Sequence, residues 1–213
     1  MSKIAIKICG LSTPAMVDCA LAGGATHVGL VFFPKSPRNV SIEQAAALAA
    51  HAAGRAQVVG LFVDPAEELL TAVRSSVALD AIQLHGGENP ARAAQIRAAQ
   101  GIEVWKAIGV RKQADLAAAR DFVGAADRIL YDAKPPKDSE LPGGTGLRID
   151  WSLMRGWHHP LPWLLAGGLT PDNVAEAVAI TGAPGVDVSS GVESTPGVKD
   201  AGRITAFCRA VLG

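Results

Sequence analysis

Two hydrophobic rhythms alternate along the chain. Short runs such as Lys3-Ile4-Ala5-Ile6-Lys7-Ile8-Cys9-Gly10 place apolar residues at every second position, the period of a strand. Between them lie Ala-rich stretches of helical length. Candidate strands start near Lys3, Thr26, Ala56, Leu79, Ile102, Asp127, Leu161 and Gly185. Helices are predicted over 14–22, 42–53, 66–75, 89–99, 113–122, 171–181 and 199–212, with a shorter one near 149–155. Strand–helix alternation implies parallel strands covered by helices. Eight such units at nearly equal spacing predict a (β/α)8 barrel of α/β class, one domain over 1–213. A doubly wound open sheet is the alternative, and the even spacing favours closure.

Helix starts carry physical punctuation. Ser41 with Gln44 forms a Ser-x-x-Gln capping-box pattern. Thr13-Pro14, Asp64-Pro65, Asn89-Pro90 and Thr170-Pro171 each set proline beside a capping-type residue. The loops they close lie at the C-terminal ends of strands, the face where barrel active sites are built.

Composition narrows the function. The 213 residues are 49% hydrophobic and 19% charged, which is ordinary for a globular chain. Lys+Arg and Asp+Glu both number 20, so no overall basic field exists to hold nucleic acid or an anionic membrane. An anionic ligand must therefore be held by local groups. Cys9, Cys19 and Cys208 form no CxxC pair, so neither a disulfide framework nor a zinc site is expected. The N-terminus lacks a signal-peptide core, and no apolar run is long enough to span a bilayer. A cytoplasmic enzyme without cofactor or metal is expected, as monomer or homodimer.

Strand parity selects the candidate chemistry. Ala5, Lys7 and Cys9 face the barrel interior, with Cys9 at the mouth and Lys7 one layer beneath. A neighbouring cation can lower a thiol pKa and supply a thiolate base; the competing reading is a small buried hydrophobe. Cys19 and Cys208 fall within helices. Asp132 ends the apolar sixth strand, where partial burial suits a carboxyl to acid–base work, unless it only caps the next turn. The long Pro- and Gly-rich stretch 133–146 that follows has the length of a functional lid. Arg38 follows strand two, either as a carboxylate clamp or as a solvated arginine. His85 ends strand four, either touching ligand or as a satisfied rim residue. Lys106 and Asp187 share inward parity, so they can pair inside the barrel, and Asp187 can reach the ligand region. His158 and His159 precede strand seven on the opposite, stability face.

Three glycine-bearing segments end strands six, seven and eight: Gly143-Gly144-Thr145-Gly146, Ala166-Gly167-Gly168-Leu169 and Ser189-Ser190-Gly191-Val192. Glycines let backbone N–H groups converge on an anion, and this part of a barrel commonly holds phosphate. The phosphate donors are expected near Gly144, Gly168, Ser190 and Gly191. A phosphorylated small molecule is the expected partner, with Lys7, Arg38, His85, Gly143, Gly144 and Asp187 as its further contacts. No Walker loop and no dinucleotide fingerprint occurs.

Together these segments resemble the phosphoribosylanthranilate isomerase family of (β/α)8 enzymes. The matching stretches are Lys7-Ile8-Cys9-Gly10, Pro34-Lys35-Ser36-Pro37-Arg38, Gln83-Leu84-His85-Gly86, Tyr131-Asp132-Ala133-Lys134, the three glycine segments, and Val186-Asp187-Val188-Ser189-Ser190-Gly191-Val192-Glu193. They occur in family order over nearly the whole chain. The resemblance implies an Amadori rearrangement of N-(5-phosphoribosyl)anthranilate in tryptophan biosynthesis. It implies Cys9 as general base, Asp132 as general acid and Arg38 as holder of the anthranilate carboxylate. Ile149 departs from the aromatic residue expected there. The related histidine-pathway Amadori isomerase resembles this family but uses two aspartates and has similar half-barrels; Cys9 and the missing half repeat argue against it. A barrel that binds a phosphate ligand without turnover is the third reading, opposed by the presence of both Cys9 and Asp132.

Overall fold

The computed structural model describes residues 4–134, 143–144 and 146–213. Eight parallel strands close into a barrel in sequence order. They are β1 Ala5–Cys9, β2 His27–Phe32, β3 Gln57–Phe62, β4 Ala81–Leu84, β5 Glu103–Val110, β6 Arg128–Ala133, β7 Trp163–Leu165 and β8 Gly185–Val188. β8 returns to β1, with Lys7 directly opposite Asp187. The fold is therefore the (β/α)8 barrel, not the open sheet.

The connections follow the predicted pattern with local changes. The helices are α1 Pro14–Ala22, α2 Ile42–Ala52, α3 Glu67–Ser76, α4 Pro90–Gln100, α5 Val174–Thr181 and α6 Ala201–Leu212. Gln113–Phe122 winds as a 3-10 helix, as do Trp151–Met154 and Ser190–Val192. Over ten residues an apolar pattern does not separate three residues per turn from 3.6. α5 starts later than predicted, because Asn173 turns back to accept from the Thr170 N–H at 2.8 Å. An antiparallel hairpin, β9 Glu193–Thr195 with β10 Val198–Lys199, follows β8 and has no counterpart in the sequence reading. The Ser41 hydroxyl caps α2 through the Gln44 N–H at 3.1 Å, whereas the Gln44 amide reaches the Ser12 carbonyl at 2.7 Å instead of closing the capping box.

The alternation in each strand becomes two packed regions. Outward residues such as Ile6, Ile8, Val28, Leu30 and Ile82 join the helices in the main core. Inward residues fill the barrel: Val59, Ala81, Trp105 and Leu164 form one layer, and Ala107, Leu130 and Ala166 another. The interior is a packed core, not a channel. His159, on the lower face, stacks on Trp163 with ring centroids 3.9 Å apart. Ile149 is buried in the outer core.

Candidate active site

At the C-terminal mouth of the strands lies a cleft with about 730 Å³ of empty space. Cys9, Arg38, His85, Asp132, Gly143, Gly144, Gly168, Asp187, Ser190 and Gly191 all line it. Lys7, fully buried, lies outside its wall.

Cys9 ends β1, three strands round the barrel from Asp132 on β6. Its thiol is buried, and that burial pushes its pKa up despite the opposing charges of Lys7 and Lys199. The expected lowering by a nearby cation is thus overturned: desolvation of the thiolate outweighs the cations. Burial alone would discharge Lys7 as well, but Asp187 at 2.8 Å and the Cys9 thiol hold its pKa above the ordinary lysine value. Asp187 therefore pairs with Lys7, not with Lys106. Two reasons apply. Closure makes β8 and β1 neighbours. Lys106 also lacks the inward parity expected of it, because Trp105 and Ala107 on either side fill the barrel. It faces the helix side with Val104 and Ile108, binding Glu88 at 2.8 Å and the Gly86 carbonyl at 2.7 Å.

Asp132 is held from two sides. Its Oδ1 accepts the Ala133 N–H at 2.7 Å, and its Oδ2 lies 3.1 Å from His85 Nε2. Both side chains are nearly buried, and Gly143 packs against their tips, where a Cβ would lie 2.5 Å from His85 Nε2. His85 thus meets the acid candidate as well as the cleft. The part of stretch 133–146 predicted as a lid lies mostly outside the described residues, Thr145 included.

Arg38 is buried, so it is not the solvated arginine of the alternative reading. Its Nε and Nη2 grip Glu193 at 2.7 and 2.8 Å, and Nη2 also donates to the Gly144 carbonyl at 3.3 Å. Gly10, with φ of 78°, brings the backbone so close that a Cβ there would meet Arg38 Cδ at 2.8 Å. Glu193 also takes the buried Lys199 ammonium at 2.6 Å. The hydrogen bonds and charges of Arg38 and Lys199 hold the Glu193 carboxyl below the usual range although burial pushes it up. Glu193 carried no role in the sequence reading. The available signal was charge: a buried arginine requires a carboxylate, and Glu193 closes the segment after β8.

The glycine segments converge as expected. Among the described residues, the N–H groups of Gly144, Gly168, Ser190 and Gly191 have no protein acceptor. The turn after β7 is fastened by Asn173, whose amide donates to the Gly168 carbonyl at 2.9 Å. Gly168 has φ of 65°, a left-handed conformation that favours glycine. A Cβ at Gly191 would lie 1.8 Å from the Leu169 carbonyl, so the two turns touch. Converging free N–H groups are suited to an anion.

A family model described as N-(5'phosphoribosyl)anthranilate (PRA) isomerase matches residues 6–210. The chain belongs to the phosphoribosylanthranilate isomerase family. The isomerase of Paramagnetospirillum magneticum is 52% identical over 210 residues, covering 99% of this chain and 98% of that one. That of Cereibacter sphaeroides is 54% identical over 210 residues, covering 99% of each. The crystal structure of phosphoribosylanthranilate isomerase from Thermotoga maritima superposes with a TM-score of 0.84 at 35% identity, covering 98% of both chains. A crystal structure of the isomerase in complex with reduced 1-(o-carboxyphenylamino)-1-deoxyribulose 5-phosphate has a TM-score of 0.82 at 33% identity, covering 98% of each chain. The barrel is accordingly that of a phosphoribosylanthranilate isomerase, an enzyme of tryptophan biosynthesis acting on a phosphorylated small molecule. Among the described residues, no helix is long and apolar enough to cross a membrane.

Proposed function

We propose that Asp132 and Cys9 divide the isomerisation as acid and base on opposite sides of a sugar held by its two anionic ends. The observation that carries this reading is the cleft itself. It has a carboxyl on β6, a thiol on β1, and a glycine cradle with free N–H groups between them. The phosphate lies against the N–H groups of Gly144, Gly168, Ser190 and Gly191. The anthranilate carboxylate takes Arg38 Nη1, which Glu193 leaves unused. Asp187 neutralises Lys7 beneath Cys9, so a thiolate formed there has the Lys7 ammonium at its side.

The chemistry then runs in three steps. Asp132 gives its proton to the ribose ring oxygen. The C1′–O4′ bond breaks toward that oxygen while the nitrogen lone pair forms the C=N bond of a Schiff base. The Cys9 thiol first releases its proton to solvent; the thiolate then removes the C2′ proton, and the released electron pair forms the C1′=C2′ bond of an enolamine as the C=N pair returns to nitrogen. Loss of the 2′-hydroxyl proton and protonation at C1′ give the ketone, 1-(2-carboxyphenylamino)-1-deoxyribulose 5-phosphate. The base must be a reduced thiol, and all three cysteines are free, which supports a reducing, cytoplasmic setting.

Loss of substrate fluorescence tests the assignment. Asp132→Asn is expected to lower kcat by roughly 10²–10⁴-fold with little change in KM, and Cys9→Ala likewise. A wild-type-like kcat in either folded variant overturns that residue's role.

A further inference from the structure

Inside the barrel, beside His85, lies a polar side chain with no part in the chemistry above. Gln83 on β4 is fully buried, and its Nε2 lies 2.9 Å from His85 Nδ1. The other end of the amide, Oε1, is buried without a hydrogen-bond partner among the described residues. Stranding an amide oxygen is costly, and an apolar residue of the same volume would fill the space without that cost. His85 is the one described hydrogen-bond partner of this amide.

A neutral imidazole has one donor nitrogen and one acceptor nitrogen. An amide N–H on Nδ1 makes Nδ1 the acceptor and leaves the proton on Nε2. That nitrogen then donates to Asp132 Oδ2, 3.1 Å away. We infer that Gln83 is a positioning residue for the acid: its amide holds His85 in the Nε2–H form, and His85 thereby stabilises the Asp132 carboxylate that forms as the proton leaves for the substrate. The inference rests on the reading of Asp132 as the acid.

The charged groups on the neighbouring elements leave this arrangement undisturbed. Lys106 on β5 is neutralised by Glu88 and bound to the Leu84 and Gly86 carbonyls that flank His85. Glu88 also accepts the Gly86 and Asp64 N–H groups, and Asp64, after β3, accepts the Gly87 N–H at 2.8 Å. These contacts fix the turn that carries His85. Among the described hydrogen-bonded neighbours of the imidazole, Asp132 is the one with an ionisable side chain.

Two substitutions separate this role from simple packing. Gln83→Glu replaces the donor by an acceptor and draws a proton onto Nδ1, leaving an imidazolium between two carboxylates. Gln83→Met keeps the volume and removes the contact, and it serves if the glutamate variant does not fold. In ¹⁵N-histidine NMR of the substrate-free protein, the wild type is expected to show His85 as a single Nε2–H tautomer. The glutamate variant is expected to show imidazolium at neutral pH, and the methionine variant a tautomer mixture. In kcat–pH profiles the alkaline limb is expected to move to lower pH in the glutamate variant and to higher pH in the methionine variant, with kcat at neutral pH at least about tenfold lower in the former. An unchanged His85 spectrum in both variants overturns the inference. A changed spectrum with superimposable pH profiles also overturns it, and places the fault in the acid reading of Asp132 rather than in the Gln83–His85 contact.

Discussion

Gly143→Ala is a one-carbon test of the acid pair. Gly143 does not have a positive φ, so alanine brings no backbone strain. The new Cβ would lie 2.5 Å from His85 Nε2 and 2.6 Å from Asp132 Oδ2. Ordinary contact begins at about 3.4 Å, so the side chains or the turn must yield by roughly 0.9 Å. A hydrogen bond of 3.1 Å does not survive such a wedge between its two ends. Losing a hydrogen bond to a charged group costs about 1.5–3 kcal/mol. A misplacement of this size at a reacting group costs on the order of 10²-fold in rate. The expected result is therefore a fall in kcat of on the order of 10²-fold. The melting temperature should fall by roughly 3–12 °C, the equivalent of about 1.5–3 kcal/mol in a chain of this length. Steady-state fluorescence kinetics and a thermal melt measure both quantities. A kcat within about threefold of wild type, in a variant that remains folded, refutes the claim that the His85–Asp132 contact serves the acid step.

The remaining predictions concern ionisation. Burial raises the Cys9 thiol pKa, so its alkylation by iodoacetamide is expected to be slow at pH 7 and to keep accelerating above pH 9, with substrate protecting; a rate already at plateau near neutrality contradicts a raised thiol pKa. Burial, aided by Arg128 and Lys7, lowers His27 from 6.5 to about 4, so the unfolded chain binds the extra proton between those values. The neutral imidazole's stabilisation is complete above pH 6.5 and is lost as pH falls toward 4, a change of about 3 kcal/mol. Urea unfolding at pH 7 and pH 4.5 is expected to show a smaller acid loss for His27→Gln than for wild type, and equal losses remove His27 as the cause.

Particular residues show how far the sequence was legible. Cys9, Asp132 and the glycine turns were readable because strand parity and strand ends are local properties. The Arg38–Glu193 pair was not, because its members are 155 residues apart and meet only when the hairpin after β8 folds over the β2 loop. The Lys106–Asp187 pairing failed because β5 is one position out of phase with the reading: Trp105 and Ala107 fill the barrel, so Lys106 faces the helix side and meets Glu88 there. The sign of the Cys9 shift was also out of reach. Sequence shows a nearby cation, but the depth of burial depends on every element packed around the thiol.

The sequence by itself determined the eight strand–helix units, the inward set of side chains apart from that of β5, and the mouth of the barrel as the working face. These follow from the 2.0 and 3.6 periods and from the capping residues between them, which act over a few positions. Tertiary structure decided which inward groups meet. Closure set Lys7 against Asp187, the β6 loop brought Gly143 to the His85–Asp132 contact, and the turns after β7 and β8 came together at Gly191 and Leu169. The physical reason is range: a side chain's face is fixed by its own backbone, whereas its partner and its desolvation are fixed by distant chain segments, 180 residues away for Lys7 and Asp187.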